Sequence, residues 1–400
     1  TANTLTVNAG GALTDSGTLA ITGATTISAS GQNITLDETA STFGTLSLTG
    51  ANVAVTENAA TDLGASTVSG TLGITSAGAI TNSGSLAITG DATFDNLGGS
   101  DDAITLNNPS NVFNGTVTFT TDSGSAVTIV DTTALDLVAL TAGSLSVTAG
   151  GAVTDSGTLA ITGATTISAS GQDITLDNAA STFGDLSLVG ANVAVTENGD
   201  MNLAAATITG TATFNSTNNA ITDSGTLTIA GASIFNSGTA NLDLDEAAST
   251  FGDLTITAAD VYVVDAGSLA ASNIQANKVQ LKGGSGISAT STGVAEFAAE
   301  SDGGDISITN TGGYAISDFA STSGITGVRF TDADATGKIT LIANSPLTIN
   351  APVNAGKGTM QLTAAGSAST DDVTVNAALS GGTIAVSAGD SIAVTAGGLT

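Results

Sequence analysis

The sequence predicts an all-β chain wound as a parallel β-helix, and three observations carry that reading. A unit of about 70 residues recurs, and periodicity at this scale marks a repeat architecture. Apolar residues alternate with Thr, Ser and other small polar residues in short bursts, which is the period of a strand with one buried face. The chain fills its core without bulk: 41% of residues are hydrophobic, but only 3% are aromatic, and Cys, His and Trp are absent. A two-sheet sandwich about 10 Å thick ordinarily uses aromatics to fill its middle, whereas a solenoid stacks small aliphatics turn upon turn.

The repeat is visible at two scales. Residues 11–58 and 151–198 differ at only the pairs 13/153, 33/173, 38/178, 39/179, 45/185 and 49/189. A shorter marker begins at Leu13, Ile80, Val153 and Ile221, reading Leu13-Thr-Asp-Ser-Gly-Thr-Leu-Ala-Ile21 in its first copy. A second marker, Ser-Thr-Phe-Gly, occupies 41–44, 181–184 and 249–252, with a looser form at Asn111-Val-Phe-Asn114. Four units therefore fill the chain to about residue 270.

Within each unit the strands are short. Leu19/Ile21, Ile34/Leu36, Leu46/Leu48, Val53/Val55, Leu72/Ile74 and Leu86/Ile88 each bracket one polar residue. Gly, Asn, Asp and Ser-Gly steps separate them, as turns require. The alternation continues through Ile306/Ile308, Ile339/Leu341, Val373/Val375 and Ile392/Val394. At ~20 residues per coil, each unit holds three or four coils. The whole chain makes roughly 20 coils and, at ~4.8 Å per coil, a rod ~95 Å long. We read 1–275 as the four-repeat β-helix and 276–400 as its continuation in divergent coils. A separate C-terminal domain is the alternative. All five basic residues, Lys278, Lys282, Arg329, Lys338 and Lys357, lie in that second stretch.

The formal net charge is −30, from 35 acidic and 5 basic residues. Nucleic-acid binding needs clustered Lys and Arg to displace counterions, and the chain has almost none. Disulfides, thiolate metal sites and histidine or cysteine catalysis are excluded by composition. No apolar run reaches about 18 residues, so no membrane insertion is expected. The chain opens Thr1-Ala2-Asn3 without a leader-like segment, so we expect a removed targeting segment or an excerpt of a longer chain. The sequons at Asn33, Asn114 and Asn215 carry no weight in so Asn- and Thr-rich a sequence.

Several motifs invite chemistry. Asp243-Leu-Asp245-Glu246, Asp37-Glu38, Asp101-Asp102 and Asp332-Ala-Asp334 supply oxygen ligands of the kind Ca²⁺ takes. No EF-hand loop or Gly-Gly-x-Gly-x-Asp repeat accompanies them, so a solvated face with turn-forming Asp is the preferred reading, and no cofactor is assigned. Asp15, Asp155 and Asp223 recur at one place in the unit and are expected several coils apart. Paired carboxylates could also serve a carbohydrate-active β-helix enzyme, but they repeat instead of forming a single constellation. We therefore expect no enzyme and assign no catalytic, cofactor-binding or metal residue. Thr118-Phe-Thr120 reads as exposed strand and not as a flat ice-binding array, because coil lengths vary. The glycine pairs 98–99, 283–284 and 303–304 read as turns. Phe43, Phe183 and Phe251 read as interior stacks or corner plugs.

The phrases Gly-Ala-Asn-Val-Ala-Val-Thr-Glu (50–57 and 190–197), Asn-Ile-Thr-Leu-Asp (33–37), Ser-Leu-Ser-Val-Thr-Ala-Gly-Gly (144–151) and Ser-Thr-Phe-Gly-x-Leu-x-Leu resemble the repeats of filamentous-haemagglutinin-type exoproteins. The resemblance covers essentially the whole chain. It implies a right-handed β-helix from a large bacterial protein secreted to the cell surface, often by two-partner secretion. It also implies adhesion, biofilm cohesion or contact-dependent toxin delivery as the class of role, and it transfers no functional residue. The strand pattern runs from Leu5-Thr-Val7 to Leu399 without a polar cap. Further repeats of a longer parent chain, or copies joined head to tail, are therefore the expected partners, together with a receptor on a host or neighbouring cell. The combined expectation is the structural shaft of an extracellular or cell-surface fibre.

Overall fold

Strands of this length cannot close a core alone, so each finds its partner one turn away. The computed structural model describes residues 1–96, 102–320 and 323–395. The chain is an all-β parallel solenoid of about 19 turns, with no helix among the described residues. It divides into two units, Thr1–Asn198 and Gly199–Thr400. Gly98, Gly99, Asp101 and Leu399 lie outside the described residues.

In the first unit two long sheets run through the turns. One takes strands such as Leu5–Asn8, Thr25–Ser28 and Thr45–Gly50; the other takes Leu13–Thr14, Ile34–Leu36 and Val53–Glu57. The interior is a set of in-register columns. Leu36, Val55, Ile74, Phe94 and Phe119 stand one above another in the second sheet. Ile80, Ile104, Val127 and Leu145 do so in the first. All of these are buried, and the residue between each pair of inward side chains faces outward. A fully buried aliphatic or Phe side chain contributes about 1.5–3 kcal/mol relative to exposure. Stacking like on like lets small residues reach that value without an aromatic filling.

Turn length is set by the corners, not by the strands. Thr45 pairs with Asp62, 17 residues on, and Thr25 with Leu46, 21 residues on. The bend within the first sheet splits some of its strands: Thr45–Gly50 pairs with both Thr61–Leu63 and Ser66–Val68. The 70-residue unit proves to be three and a half turns. Leu13 of the first marker lies in the second sheet, Ile80 of the next copy lies in the first sheet, and Val153 returns to the second. Successive copies thus face opposite sides, and the 140-residue period is the one that restores both register and side. The near-identity of 11–58 and 151–198 has its geometric counterpart in that return.

The glycine of Ser-Thr-Phe-Gly explains itself at one corner. Gly124, Gly143, Gly163 and Gly184 stack there in successive turns. A Cβ on Gly143 would lie 2.5 Å from the Gly124 carbonyl oxygen, and one on Gly163 would lie 2.5 Å from that of Gly143. Gly184 approaches the Gly163 carbonyl more closely still, and Gly44 and Gly115 make the same approach to Gly23 and Gly90. Backbone meets backbone at this corner, so no side chain fits.

The second unit keeps the two-sheet plan and changes its corners. Val261 pairs with Val279 and Val279 with Phe297, so the ladder passes through residue 275 without a break. From Glu296–Ser301 onward the turns lengthen, and Tyr314 pairs with Leu347, 33 residues later. The extra chain after Ile316 forms an antiparallel hairpin, Asp318–Phe319 with Ile325–Thr326. Phe319 and Ile325 bury themselves on Ala298, with Tyr262 packed alongside. Phe43, Phe183 and Phe251 are interior as expected, and all eleven Phe are buried; Phe214 stacks on Phe235 at 5.3 Å, and Phe251 meets Phe235 edge-on at 6.1 Å. Gly283 ends a strand, and Gly304 occupies a turn with φ 75°.

Gly184→Ala places a methyl against the backbone of the turn below. We expect a loss of about 1–3 kcal/mol, the usual range for overpacking. Gly17→Ala, where no atom lies within 4 Å of the new carbon, should stay within about 0.5 kcal/mol. Urea unfolding midpoints of the two variants measure the difference; equal midpoints would refute the backbone-contact account.

Candidate functional site

The residues that define the repeat converge on the backbone at the corners. Ser41, Ser181 and Ser249, which open the Ser-Thr-Phe-Gly marker, each accept a hydrogen bond through Oγ from a backbone N–H one turn away. The donors are Leu19, Leu159 and Leu227, all at 3.0 Å. Asp15, Asp155 and Asp223 each cap another turn, accepting the N–H of Asp37 (3.1 Å), Asp177 (2.9 Å) and Asp245 (2.9 Å). In the second copy both positions change together. Asn82 stands for the Asp and Asn111 for the Ser. Asn82 Nδ2 donates to Asn111 Oδ1 at 2.8 Å, and Asn111 Oδ1 still accepts the Leu86 N–H at 3.0 Å. The substitution keeps the cap by moving a donor to meet a new acceptor.

A third position completes the set, and the sequence pattern alone did not single it out. The N–H of each marker Phe is accepted by a buried carboxylate from the following turn. Glu57 takes Phe43 at 2.7 Å, Asp131 takes Phe113 at 3.2 Å, Glu197 takes Phe183 at 2.6 Å and Asp265 takes Phe251 at 3.3 Å. Glu57 also accepts the Thr61 hydroxyl at 2.9 Å, and Asp265 accepts the Gly267 N–H at 2.7 Å. The usable signal was present: Glu57 and Glu197 end the repeated Gly-Ala-Asn-Val-Ala-Val-Thr-Glu phrase on an inward strand position, where a charged residue needs a partner. Burial pushes the Glu57 carboxyl up to about 7, against the opposing pull of the Phe43 and Thr61 donors. Asp223 is pushed up to about 6, chiefly by burial, with Asp245 and Glu246 adding repulsion against the pull of their own N–H groups. Burial also raises Asp131, Asp155 and Asp265.

These observations divide the acidic residues. Asp37, Asp243, Asp245, Asp332 and Asp334 are exposed, as a solvated face requires. Asp155 and Asp223 are buried caps and Asp15 is half-buried, so the recurrent marker Asp belongs to the corner's inner side. The physical reason is the turn above it, whose N–H would otherwise be buried without an acceptor. Among the described residues, no group of three or more acidic side chains converges as a metal site. Thr118 opposes Thr93, but Thr120 opposes Asp95, so the Thr-x-Thr step does not extend into a uniform array.

One lateral feature of the second unit is built differently. The outward column Asn202, Thr222, Asp243, Tyr262, Gln280 and Ala298 runs in register across successive strands. Around its middle lies a cleft of about 240 Å³, lined by Asn241, Asp243, Asp260, Tyr262, Gln280 and Ser323. The hairpin supplies Ser323. Next to the column, Glu300 is buried between Lys282 at 3.3 Å and Arg329 at 2.5 Å. Those three residues occupy facing positions on neighbouring strands. On the other flank, Asp260, Lys278 and Glu296 stand opposite one another in sequence of sign. Burial raises the Tyr262 hydroxyl pKa, with Asp245, Asp243 and Glu300 adding to it. Tyr262 is the aromatic side chain of the chain that is not buried.

The repeated frame matches the family described as repeats of unknown function (DUF5649) four times, at residues 1–49, 50–120, 124–189 and 190–258. The chain belongs to that family. No curated protein and no solved structure matches it.

The buried caps make stability depend on pH in a definite direction. A carboxyl raised on folding binds its proton more tightly in the native state than in the unfolded chain. Stability therefore falls as pH rises through that window, between about 4.5 and 7 for Glu57. We expect the urea midpoint to increase from pH 8 to pH 5. Glu57→Gln, whose amide oxygen can still accept the Phe43 N–H, should raise the midpoint at pH 8 and shrink the pH dependence. Glu57→Ala should lose about 1–3 kcal/mol by orphaning that N–H. A midpoint that instead climbs with pH across this range would overturn the assignment.

Proposed function

We propose that this chain is structural: a stretch of shaft in a bacterial cell-surface or extracellular fibre that presents adhesive regions or builds a matrix. The observation that carries the reading is where the repeat spends its specific residues. Ser41, Asp15, Glu57, Phe43 and Gly44 and their equivalents are consumed in joining one turn to the next, not in forming an outward constellation. Selection for a solenoid frame produces that pattern. The carboxyls pushed highest, Glu57 and Asp223, are committed to backbone N–H groups, which supports a non-enzymatic role. The net charge of −30 favours dispersal of such shafts by mutual repulsion. The likeness to haemagglutinin-type repeats and the absence of Cys agree with an exported protein. On the same reading the partners are further solenoid turns, of this chain or of copies, stacked end to end, and a receptor contacted by the presented region. The role needs no cofactor.

Protease shaving of intact cells that produce the protein, combined with negative-stain imaging of the released material, tests the proposal. We expect surface-accessible fibres of even width. A protein protected inside the cell, or released only as compact particles, would rule out the shaft.

A further inference from the structure

We propose that the lateral cleft between Asp243 and Ser323, beside the paired strands Asp318–Phe319 and Ile325–Thr326, binds a neutral saccharide, of the size of one sugar ring. The inference does not rest on the shaft reading, since a lateral cleft can serve any solenoid.

The argument begins with the ladder. Across five adjacent strands of the first unit the outward central column of the first sheet carries small hydroxyls, Thr105, Thr128, Ser146, Thr166 and Ser187. In the second unit the same kind of column changes to Asp243, Tyr262 and Gln280 over three adjacent strands. The column then drops to Ala298, small enough to seat Phe319 and Ile325 of the hairpin. The hairpin and Tyr262 pack together, so the ring is held in place while it also lines the cleft. An aromatic face fixed beside a carboxylate, two amides and a hydroxyl offers an apolar platform ringed by directional donors and acceptors. That is the chemistry a ring with an apolar face and a rim of hydroxyls requires.

Charge and donor chemistry narrow the ligand class. No Lys or Arg lines the cleft, which disfavours an anion. Glu300, beside the column, is held by Lys282 and Arg329. Two carboxylates, Asp243 and Asp260, line the cleft itself, and Asp260 has Lys278 at the facing strand position. A simple cation would use the carboxylates but leave the Asn241 amide donors unmatched. A polyol finds Asp243 Oδ atoms, the Asn241 and Gln280 amides, and the Ser323 hydroxyl. A cleft of about 240 Å³ lies below the ~300 Å³ at which pockets for drug-sized ligands begin, so it suits one ring and not a long chain.

Saturation-transfer NMR on the 400-residue chain with methyl α-mannoside, methyl β-galactoside and N-acetylglucosamine tests the site, with n-butylammonium as the cationic probe. We expect transfer to at least one sugar and none to the ammonium ion. Tyr262→Ala should weaken the Kd for that sugar at least tenfold. Because Tyr262 supports the hairpin, Asp243→Ala is the second variant: its side chain is exposed, so it should keep the wild-type melting curve and still weaken binding at least fivefold. Thr128→Ala in the first unit should bind as wild type. No transfer to any of the three sugars, transfer to the ammonium ion alone, or sugar binding unchanged by Asp243→Ala would each overturn the proposal. None of these outcomes bears on whether the protein forms fibres, so the two readings fail separately.

Discussion

The structure depends on one constraint: every turn must hand its backbone N–H and C=O groups to the next in register. Strands of three to six residues satisfy this easily along their length, because parallel neighbours ~4.8 Å apart pair without assistance. The corners do not, since there the chain changes direction and its N–H groups lose their strand partners. The repeat answers with two devices. Where backbones must touch, Gly stands on Gly, as in Gly124, Gly143, Gly163 and Gly184. Where an N–H is stranded, a side chain from an adjacent turn accepts it, as Ser41, Asp15 and Glu57 do.

Burying carboxylates for this purpose has a cost in desolvation, and the raised carboxyls of Glu57 and Asp223 register it. Two donors on one carboxylate, as at Glu57 and Asp265, offset that cost in part. Unpartnered buried N–H groups at each corner would be the alternative, with a penalty of about 1–3 kcal/mol apiece. The pair Asn82 and Asn111 shows that the cap can be rebuilt without charge when both positions change together. A single change at either position would leave a donor or an acceptor unmet, and this couples residues 29 apart in sequence.

The three-and-a-half-turn unit has a second consequence. A marker that alternates between sheets must function on either side of the core, so its residues have to be those that any corner tolerates. Distinctive surface chemistry accordingly appears where the repeat relaxes. In the second unit the longer turns release enough chain for the hairpin, and the ladder of hydroxyls gives way to Tyr262, Gln280 and the charged flanks. Frame and decoration are thus separated along the chain.

The sequence by itself determined the solenoid, the 70-residue unit, the inward aliphatic columns and the burial of Phe43, Phe183 and Phe251. These follow from local alternation and from repetition, which are properties of residue order. It also marked Asp15, Asp155 and Asp223 as equivalent, and Asp243 as part of an acidic cluster. Only the tertiary structure decided that Asp155 and Asp223 point to stranded N–H groups, that Glu57 reaches the amide of Phe43, and that a repeat ends half a turn out of phase. It alone joined Asp243, Tyr262, Gln280 and Ser323 in one cleft. The reason is that corner lengths range from short links to a hairpin-bearing excursion. Which residues of neighbouring turns meet is fixed by inter-turn register, a quantity that no single turn encodes.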